Sequence, residues 1–179
     1  MDVAVVVAIS GSPSPTSRTA LVLASVAGAI DADIDTIAVR DLPAEVLLGC
    51  DPSHPVIRDI AERLQAADGV IVATPVYKAA YSGILKALLD LLPQYALAGK
   101  TVLPLATGGT VAHVLAIDYA LRPVLTTMGA THVLPGYFVH DQLISDGPDG
   151  EIVIAEPART LLDGVVAAFA AALTTKVIV

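Results

Sequence analysis

Residues Asp68 to Leu92 read DGVIVATPVYKAAYSGILKALLDLL, and the order of signals in this stretch decides the fold class. Gly69 to Ala73 is a short apolar run rich in β-branched residues, too short for a helix, so it reads as a strand buried on both faces of a parallel sheet. Thr74-Pro75 ends the strand in this reading, because proline lacks a backbone N–H and disfavours helical geometry in the residue before it. A loop from Pro75 to Tyr81 follows. Ser82 then caps a helix whose Ile84, Leu85, Leu88, Leu89 and Leu92 recur at helical spacing, leaving Lys86 and Asp90 on a wetter face. In an open α/β sheet, ligands bind beyond the carboxyl ends of the strands, where this loop lies. Two tyrosines, a lysine and a proline suit a planar, electron-poor ring better than a bare phosphate.

Upstream, Val3 to Ile9 is another continuous apolar, β-branched run and reads as a central parallel strand. It opens into the hydroxyl-rich loop Ser10-Gly11-Ser12-Pro13-Ser14-Pro15-Thr16-Ser17-Arg18-Thr19, after which Ala20 to Ile30 is helical. A strand, a loop of small hydroxyl residues and a helix N-terminus together favour a phosphate monoester, because free backbone N–H groups and the positive helix end face the loop. The alternative, that Thr16 or Ser17 merely caps the helix, stays open, since neither a GxGxxG nor a Walker A pattern is present. Ile34 to Val39 reads as the second strand, with Asp31, Asp33 and Asp35 as solvated turn residues. Asp41 to His54 holds Pro43, Gly49 and Pro52 and reads as an irregular connection, a lid or an interface arm. Pro55 starts a helix to about Ala66 with Val56, Ile60 and Leu64 inward, and His54 before it reads as a surface residue or a cap, not a ligand.

Downstream, Thr101 to Ala106 is a further buried strand. It opens into Thr107-Gly108-Gly109-Thr110, which fits either a close approach of backbone to a flat ligand or a tight turn, with Thr110 capping the next helix. That helix, Val111 to Met128, contains Pro123 well inside it. A kink or local widening is predicted near Ala120 to Pro123, because the carbonyl of Tyr119 loses its partner. His113 lies in the first turn after the glycines and suits a ligand-side role or a capping role. Thr131 to Val139 makes the fifth strand. His140 to Pro157 is polar, with a turn at 147–150 and a short extended piece at Ile152 to Ile154. A helix from Glu156 to Leu173 closes the chain, with Leu161, Leu162, Val165 and Phe169 inward. Strand and helix alternate five times, so the expectation is a parallel sheet with helices on both faces in a single domain, 1–179.

Hydrophobic residues make up 55% of the 179 and charged residues 16%, an apolar excess that points to a buried subunit interface and so to a homo-oligomer. A formal net charge of −8 argues against a nucleic-acid partner. No basic region precedes the first apolar run and Ser10 breaks it, so neither a signal peptide nor a membrane span is expected, and a cytoplasmic location follows by default. Cys50 is the one cysteine, which excludes an internal disulfide and a multi-cysteine metal site; no metal is expected.

Three stretches carry a resemblance: Gly11-Ser12-Pro13 with Ser17-Arg18; ADGVIVATPVYKAAYSG at Ala67 to Gly83; and GKTVLPLATGGTVAHVLAIDYALRPVL at Gly99 to Leu125. With them the chain resembles the NAD(P)H-dependent FMN reductases of flavodoxin-like fold, and more closely the reductase component of two-component alkanesulfonate monooxygenase systems. The resemblance implies a five-stranded parallel sheet in the order 2-1-3-4-5 within a three-layer α/β fold. It implies that Ser10, Ser12, Ser17 and Arg18 hold the FMN phosphate. Pro75, Val76, Tyr77 and Lys78 would line the isoalloxazine ring, with Thr107, Gly108 and Gly109 on its other edge and His113 close by. Tyr119 matches an extra tyrosine in a widened helical turn at a tetramer interface beside the flavin, and would control whether flavin stays or leaves. Many members carry arginine directly after Gly-Ser-Pro, where this chain has Ser14, which removes one phosphate contact.

The implied reaction is hydride transfer from NADPH or NADH to FMN, with reduced FMN passed to a flavin-dependent monooxygenase that cleaves sulfonates. Two competing readings are an electron-carrying flavodoxin and a quinone or azo-dye reductase with permanently bound FMN. Against the carrier stand the absence of tryptophan and the proline-broken phosphate loop.

Overall fold

The computed structural model describes residues 3–147 and 151–174. Five parallel strands form the central sheet: β1 (Val5–Ser10), β2 (Asp33–Ala38), β3 (Gly69–Tyr77), β4 (Thr101–Gly108) and β5, which comes in two pieces, His132–Val133 and Tyr137–His140. Their order is β2-β1-β3-β4-β5, the flavodoxin-like order expected from the sequence. Alternate residues of each strand enter one of two half-cores. Val6, Ala8, Ile71, Ala73, Leu103 and Leu105 pack under α1 (Arg18–Ala27) and α6 (Ala158–Thr174). Val7, Ile9, Val70, Val72 and Val102 pack under α2 (Ala44–Gly49), α3 (Pro55–Ala66), α4 (Gly83–Leu91) and α5 (Arg122–Thr127). This two-sided burial is why the central strands read as unbroken apolar runs.

Several expectations need correction. The strand starting at Gly69 does not stop at Thr74-Pro75: Pro75 pairs with Thr107 in the parallel ladder, and the strand runs on to Tyr77. Proline's fixed φ is compatible with extended backbone, and near a strand's end its missing donor removes only one ladder bond. The segment Pro75 to Tyr81 is accordingly a hairpin, with Val76 and Tyr77 pairing back onto Tyr81 and Ala80. The connection after β2 is more regular than expected, containing a single 3₁₀ turn at Val39–Asp41 and the helix α2. Asp35 is not merely solvated, since both its oxygens accept from Arg63 of α3 at 2.5 Å. In α6 the inward residues are Leu162, Val166, Phe169 and Leu173, with Val165 partly buried, whereas Leu161 is 53% exposed. The extended piece Ile152–Ile154 pairs antiparallel with Ile144–Asp146. The turn expected at 147–150 lies outside the described residues from 148 on.

The fifth strand is broken by steric demand. Val133 faces Val102 and Tyr137 faces Leu105, so Leu134, Pro135 and Gly136 oppose only Leu103 and Pro104. One extra residue makes a bulge, where each strand carries a proline without a donor. A Cβ on Gly136 would sit 2.3 Å from the Pro104 carbonyl oxygen, so only glycine fits there. Arg122 collects the carbonyls freed by the break, donating from Nη1 to Val133 O at 2.7 Å and from Nη2 to Leu134 O at 3.0 Å.

Candidate functional site

The carboxyl ends of β1, β3 and β4 open into one cleft of about 1030 Å³, large for a small-molecule or cofactor pocket. Its first wall is the loop after β1. The Gly11 N–H donates to Ala73 O at 2.8 Å, and a Cβ on Gly11 would lie 2.8 Å from Leu85 Cβ, so glycine lets the loop pack directly on α4. Ser82, the N-cap of α4, donates from its hydroxyl to Gly11 O and accepts from Leu85 N at 3.3 Å. Ser17 caps α1, accepting from Ala20 N at 3.0 Å. The cap and the anion cradle are therefore compatible: Ser17 satisfies one donor of the first turn, and the N–H groups of Arg18 and Thr19 keep no intrahelical acceptor. No acidic residue occupies that turn. Ser12 and Ser17 are buried in the loop, with Arg18 exposed at its edge.

The second wall is the β3 hairpin. Thr74 Oγ1 accepts from Ser82 N at 2.9 Å, tying the hairpin's base to the same α4 cap that holds the first loop. Lys78 and Ala79 at its tip have φ of 50° and 64°, a left-handed pair without glycine or asparagine. Pro75, Val76 and Tyr77 face the cleft, with Tyr77 half exposed. Burial within the fold pushes the neighbouring Tyr81 phenol above its ordinary range. The third wall is Thr107-Gly108-Gly109. Thr107 and Thr19, 88 residues apart and both 2% exposed, share a hydroxyl–hydroxyl hydrogen bond of 2.7 Å that joins this wall to the first. A Cβ on Gly108 would meet the Phe138 ring at 3.1 Å, whereas Gly109 is open to the cleft, its nearest neighbour Asp141 lying 3.9 Å from such a Cβ. Neither glycine has a positive φ, so the tight-turn reading does not hold: Gly108 is packed closely against Phe138 and Gly109 leaves backbone bare on the cleft side.

Of the thirteen residues expected at the site, Ser12, Ser17, Arg18, Pro75, Val76, Tyr77, Thr107, Gly108 and Gly109 line this cleft together. Ser10 is buried behind the loop, beside a smaller cavity that also touches Ser12 and Ser17. Lys78 sits at the hairpin turn, off the cleft wall. His113 lies in the 3₁₀ turn Val111–His113, which Thr110 caps by accepting from Ala112 N at 3.3 Å. Tyr119 lies in a π-helical turn, Ile117–Leu121, where Arg122 N–H reaches back five residues to Ile117 O. The widening expected from Pro123 is present, and the stretch 111–128 divides into 3₁₀, π and α pieces instead of one helix. Neither His113 nor Tyr119 lines the cleft of this single chain; Tyr119 is 78% exposed beside exposed Val111, Val114 and Leu115. Arg40, Asp141 and Asp146 also line the cleft and were not singled out from the sequence. Arg40 and Asp141 come from turns after β2 and β5 and Asp146 from the extended piece Ile144–Asp146, and no local pattern marks them.

A hydroxyl and backbone N–H cradle for an anion, continuous with an aromatic and bare-backbone slot for a flat ring, matches a phosphorylated planar cofactor. Residues 4–143 match the sequence model of the NADPH-dependent FMN reductases. The chain belongs to this family. It is similar to an FMN reductase (NADPH) of Escherichia coli strain K12, 49% identical over 144 residues that cover 79% of this chain and 75% of that one. The NADH-dependent FMN reductase SfnF of Pseudomonas putida is 36% identical over 138 residues, 73% of each chain. Among solved structures, an apo NADH:FMN oxidoreductase superposes with a TM-score of 0.86 and 41% identity, covering 97% of this chain and 92% of that one. As a family member the chain is an enzyme, an FMN reductase of flavodoxin-like fold that works with FMN and a reduced nicotinamide nucleotide. Among the described residues, no helix is long and apolar enough to cross a membrane.

Proposed function

We propose that the cleft binds FMN with its phosphate in the loop after β1 and its ring between the β3 hairpin and the Thr107-Gly108-Gly109 edge, and that reduced FMN is released to a partner. The observation carrying this reading is the continuity of the two halves: a hydroxyl loop at a helix N-terminus and a flat aromatic-and-glycine slot share one cleft. When bound, FMN supplies the redox chemistry, accepting a hydride from NADPH or NADH. Ser12, Ser17 and the first-turn N–H groups of α1 donate to the phosphate, Arg18 adds charge, and Ser10 supports the loop from behind. Pro75, Val76 and Tyr77 give the ring an apolar wall that keeps water off it, and Lys78 stands at the rim. The open backbone of Gly109 offers an N–H where negative charge gathers as the ring is reduced. No side chain need act as acid or base.

Tyr119 and His113 join the site through a second copy of the chain in this reading. Tyr119, Val111, Val114 and Leu115 form an exposed apolar surface on the π-widened stretch, which supports burial against a neighbouring subunit in a dimer or tetramer. Tyr119 then gates flavin exit. The receiver of reduced FMN is a flavin-dependent monooxygenase acting on sulfonates, and the setting is the cytoplasm. The test is oxidation of NADPH and NADH by the purified protein with and without added FMN, after recording its visible spectrum. A nearly colourless protein whose rate rises steeply with FMN supports a releasing reductase; a yellow protein that oxidises neither nucleotide refutes it in favour of a flavodoxin-type carrier. Tyr119→Ala is expected to purify yellow and lose turnover of free FMN, and a colourless, fully active variant would sink the gating role.

A further inference from the structure

Arg40 is absent from the motif that carries the resemblance, yet it is one of only two cationic side chains on the cleft wall among the described residues, the other being Arg18. It stands just past β2, in the turn Val39–Asp41, and Val39 before it is completely buried, which fixes where the side chain starts. Its Nη1 donates to Ser14 O at 2.6 Å and its Nε to Asp41 Oδ1 at 3.3 Å. A guanidinium has five N–H donors, so three remain without an acceptor among the described residues. Its side chain is 34% exposed and borders both the main cleft and the small cavity behind the loop, each of which Ser12, Ser14 and Ser17 also line.

The bond to Ser14 matters for an anion. The Ser14-Pro15 peptide has an acceptor and no donor, since proline lacks the N–H. A free carbonyl at that point would add an unfavourable dipole beside a phosphate; bound to Arg40, it is occupied. The Ser14 N–H is likewise drawn inward, donating to Ser12 Oγ at 3.3 Å. The two lining carboxylates, Asp141 and Asp146, would leave the cleft net negative with Arg18 alone, and the whole chain carries −8. Arg40, 3.3 Å from the Asp41 carboxylate on its other side, adds the second positive charge on that wall.

We propose that Arg40 is a phosphate-specificity residue: it occupies the Ser14 carbonyl and offers its remaining N–H groups to the flavin phosphate, so that the cleft selects FMN over riboflavin. This rests on the placement of the phosphate in the loop after β1 proposed above. Riboflavin carries the same ring without the phosphate, so a residue serving the ring moves both affinities and a residue serving the phosphate moves one. The experiment titrates the full-length wild-type protein, Arg40→Met and Arg40→Lys with FMN and with riboflavin by quenching of flavin fluorescence, at low and high salt. Arg40→Met is expected to weaken FMN about tenfold or more, the size of one charge-assisted hydrogen bond, with riboflavin changed less than about twofold. Arg40→Lys restores the salt-sensitive part of the FMN preference but not all of it, because lysine lacks the fork that serves carbonyl and phosphate together. Equal weakening of both flavins, or an unchanged FMN-to-riboflavin ratio in Arg40→Met, overturns the proposal. A wild-type protein that binds riboflavin as tightly as FMN overturns instead the phosphate placement on which it rests.

Discussion

Among the described residues, the hydroxyl pair Thr19–Thr107 is the one buried side-chain hydrogen bond between the phosphate-loop wall and the glycine wall, and removing it from either side tests how the cleft is held open. Each residue is 2% exposed and the oxygens are 2.7 Å apart, on the cleft wall that both residues line. Thr19→Val or Thr107→Val conserves shape, deletes one hydrogen bond and leaves the other hydroxyl buried alone. The expected loss is about 1–3 kcal/mol for either single variant. For a domain of this length that corresponds to a drop in Tm of roughly 2–4 °C per kcal/mol. The double variant removes both polar groups together and is expected to be no less stable than either single one, a coupling of about 1 kcal/mol or more. Urea unfolding of all four proteins, with m-values compared to check that the transition is unchanged, completes the cycle. Additive losses in the double variant, or single losses below about 0.5 kcal/mol, would show that the two hydroxyls do not depend on each other.

Three further outcomes are expected. Gly136→Ala drives a Cβ to within 2.3 Å of a backbone oxygen and 2.9 Å of Pro104 Cγ, neither of which is a flexible end, so it should lower stability by about 3 kcal/mol, and a wild-type Tm would disprove the tight bulge. Ala79→Gly relieves a left-handed alanine at φ 64°, roughly 1–2 kcal/mol of strain less the roughly 0.5–1 kcal/mol that glycine loses in entropy, and should raise Tm by about 1–3 °C; a fall in Tm contradicts strain at the hairpin tip. Burial raises the phenol pKa of Tyr81 and Tyr137 above the ordinary value of about 10. Below that value both folded and unfolded states keep the proton and this contribution is constant. As pH rises through it the unfolded chain ionises first, so stability falls until the folded pKa is passed. Two of the five tyrosines should therefore titrate late in tyrosinate absorbance, and five coincident titrations would refute the burial argument.

Features that depend on near neighbours in the chain were legible from residue types. Ser17, Ser82, His54 and Thr110 cap the helices or turns they precede, because a cap is made by an oxygen or nitrogen reaching two or three residues ahead. Pro123 announced a widened turn, because a missing N–H unsettles the ladder wherever it falls in a helix. Pro75 misled for the converse reason. Whether an extended proline ends a strand or continues it depends on its partner, Thr107, 32 positions later, and no local signal reports that pairing.

The sequence by itself determined the parallel sheet with its two covered faces, the serine loop feeding a helix, the aromatic segment after the third strand and the glycine edge, because periodicity and capping act within one element. Tertiary structure alone decided which residues meet. It joined Thr19 to Thr107, brought Arg40 onto the Ser14 carbonyl, laid Gly136 against Pro104, and turned Leu162 into the core while leaving Leu161 outside. Those outcomes rest on packing distances between elements far apart in the chain, and such distances exist only once the sheet has formed and the helices have closed on it.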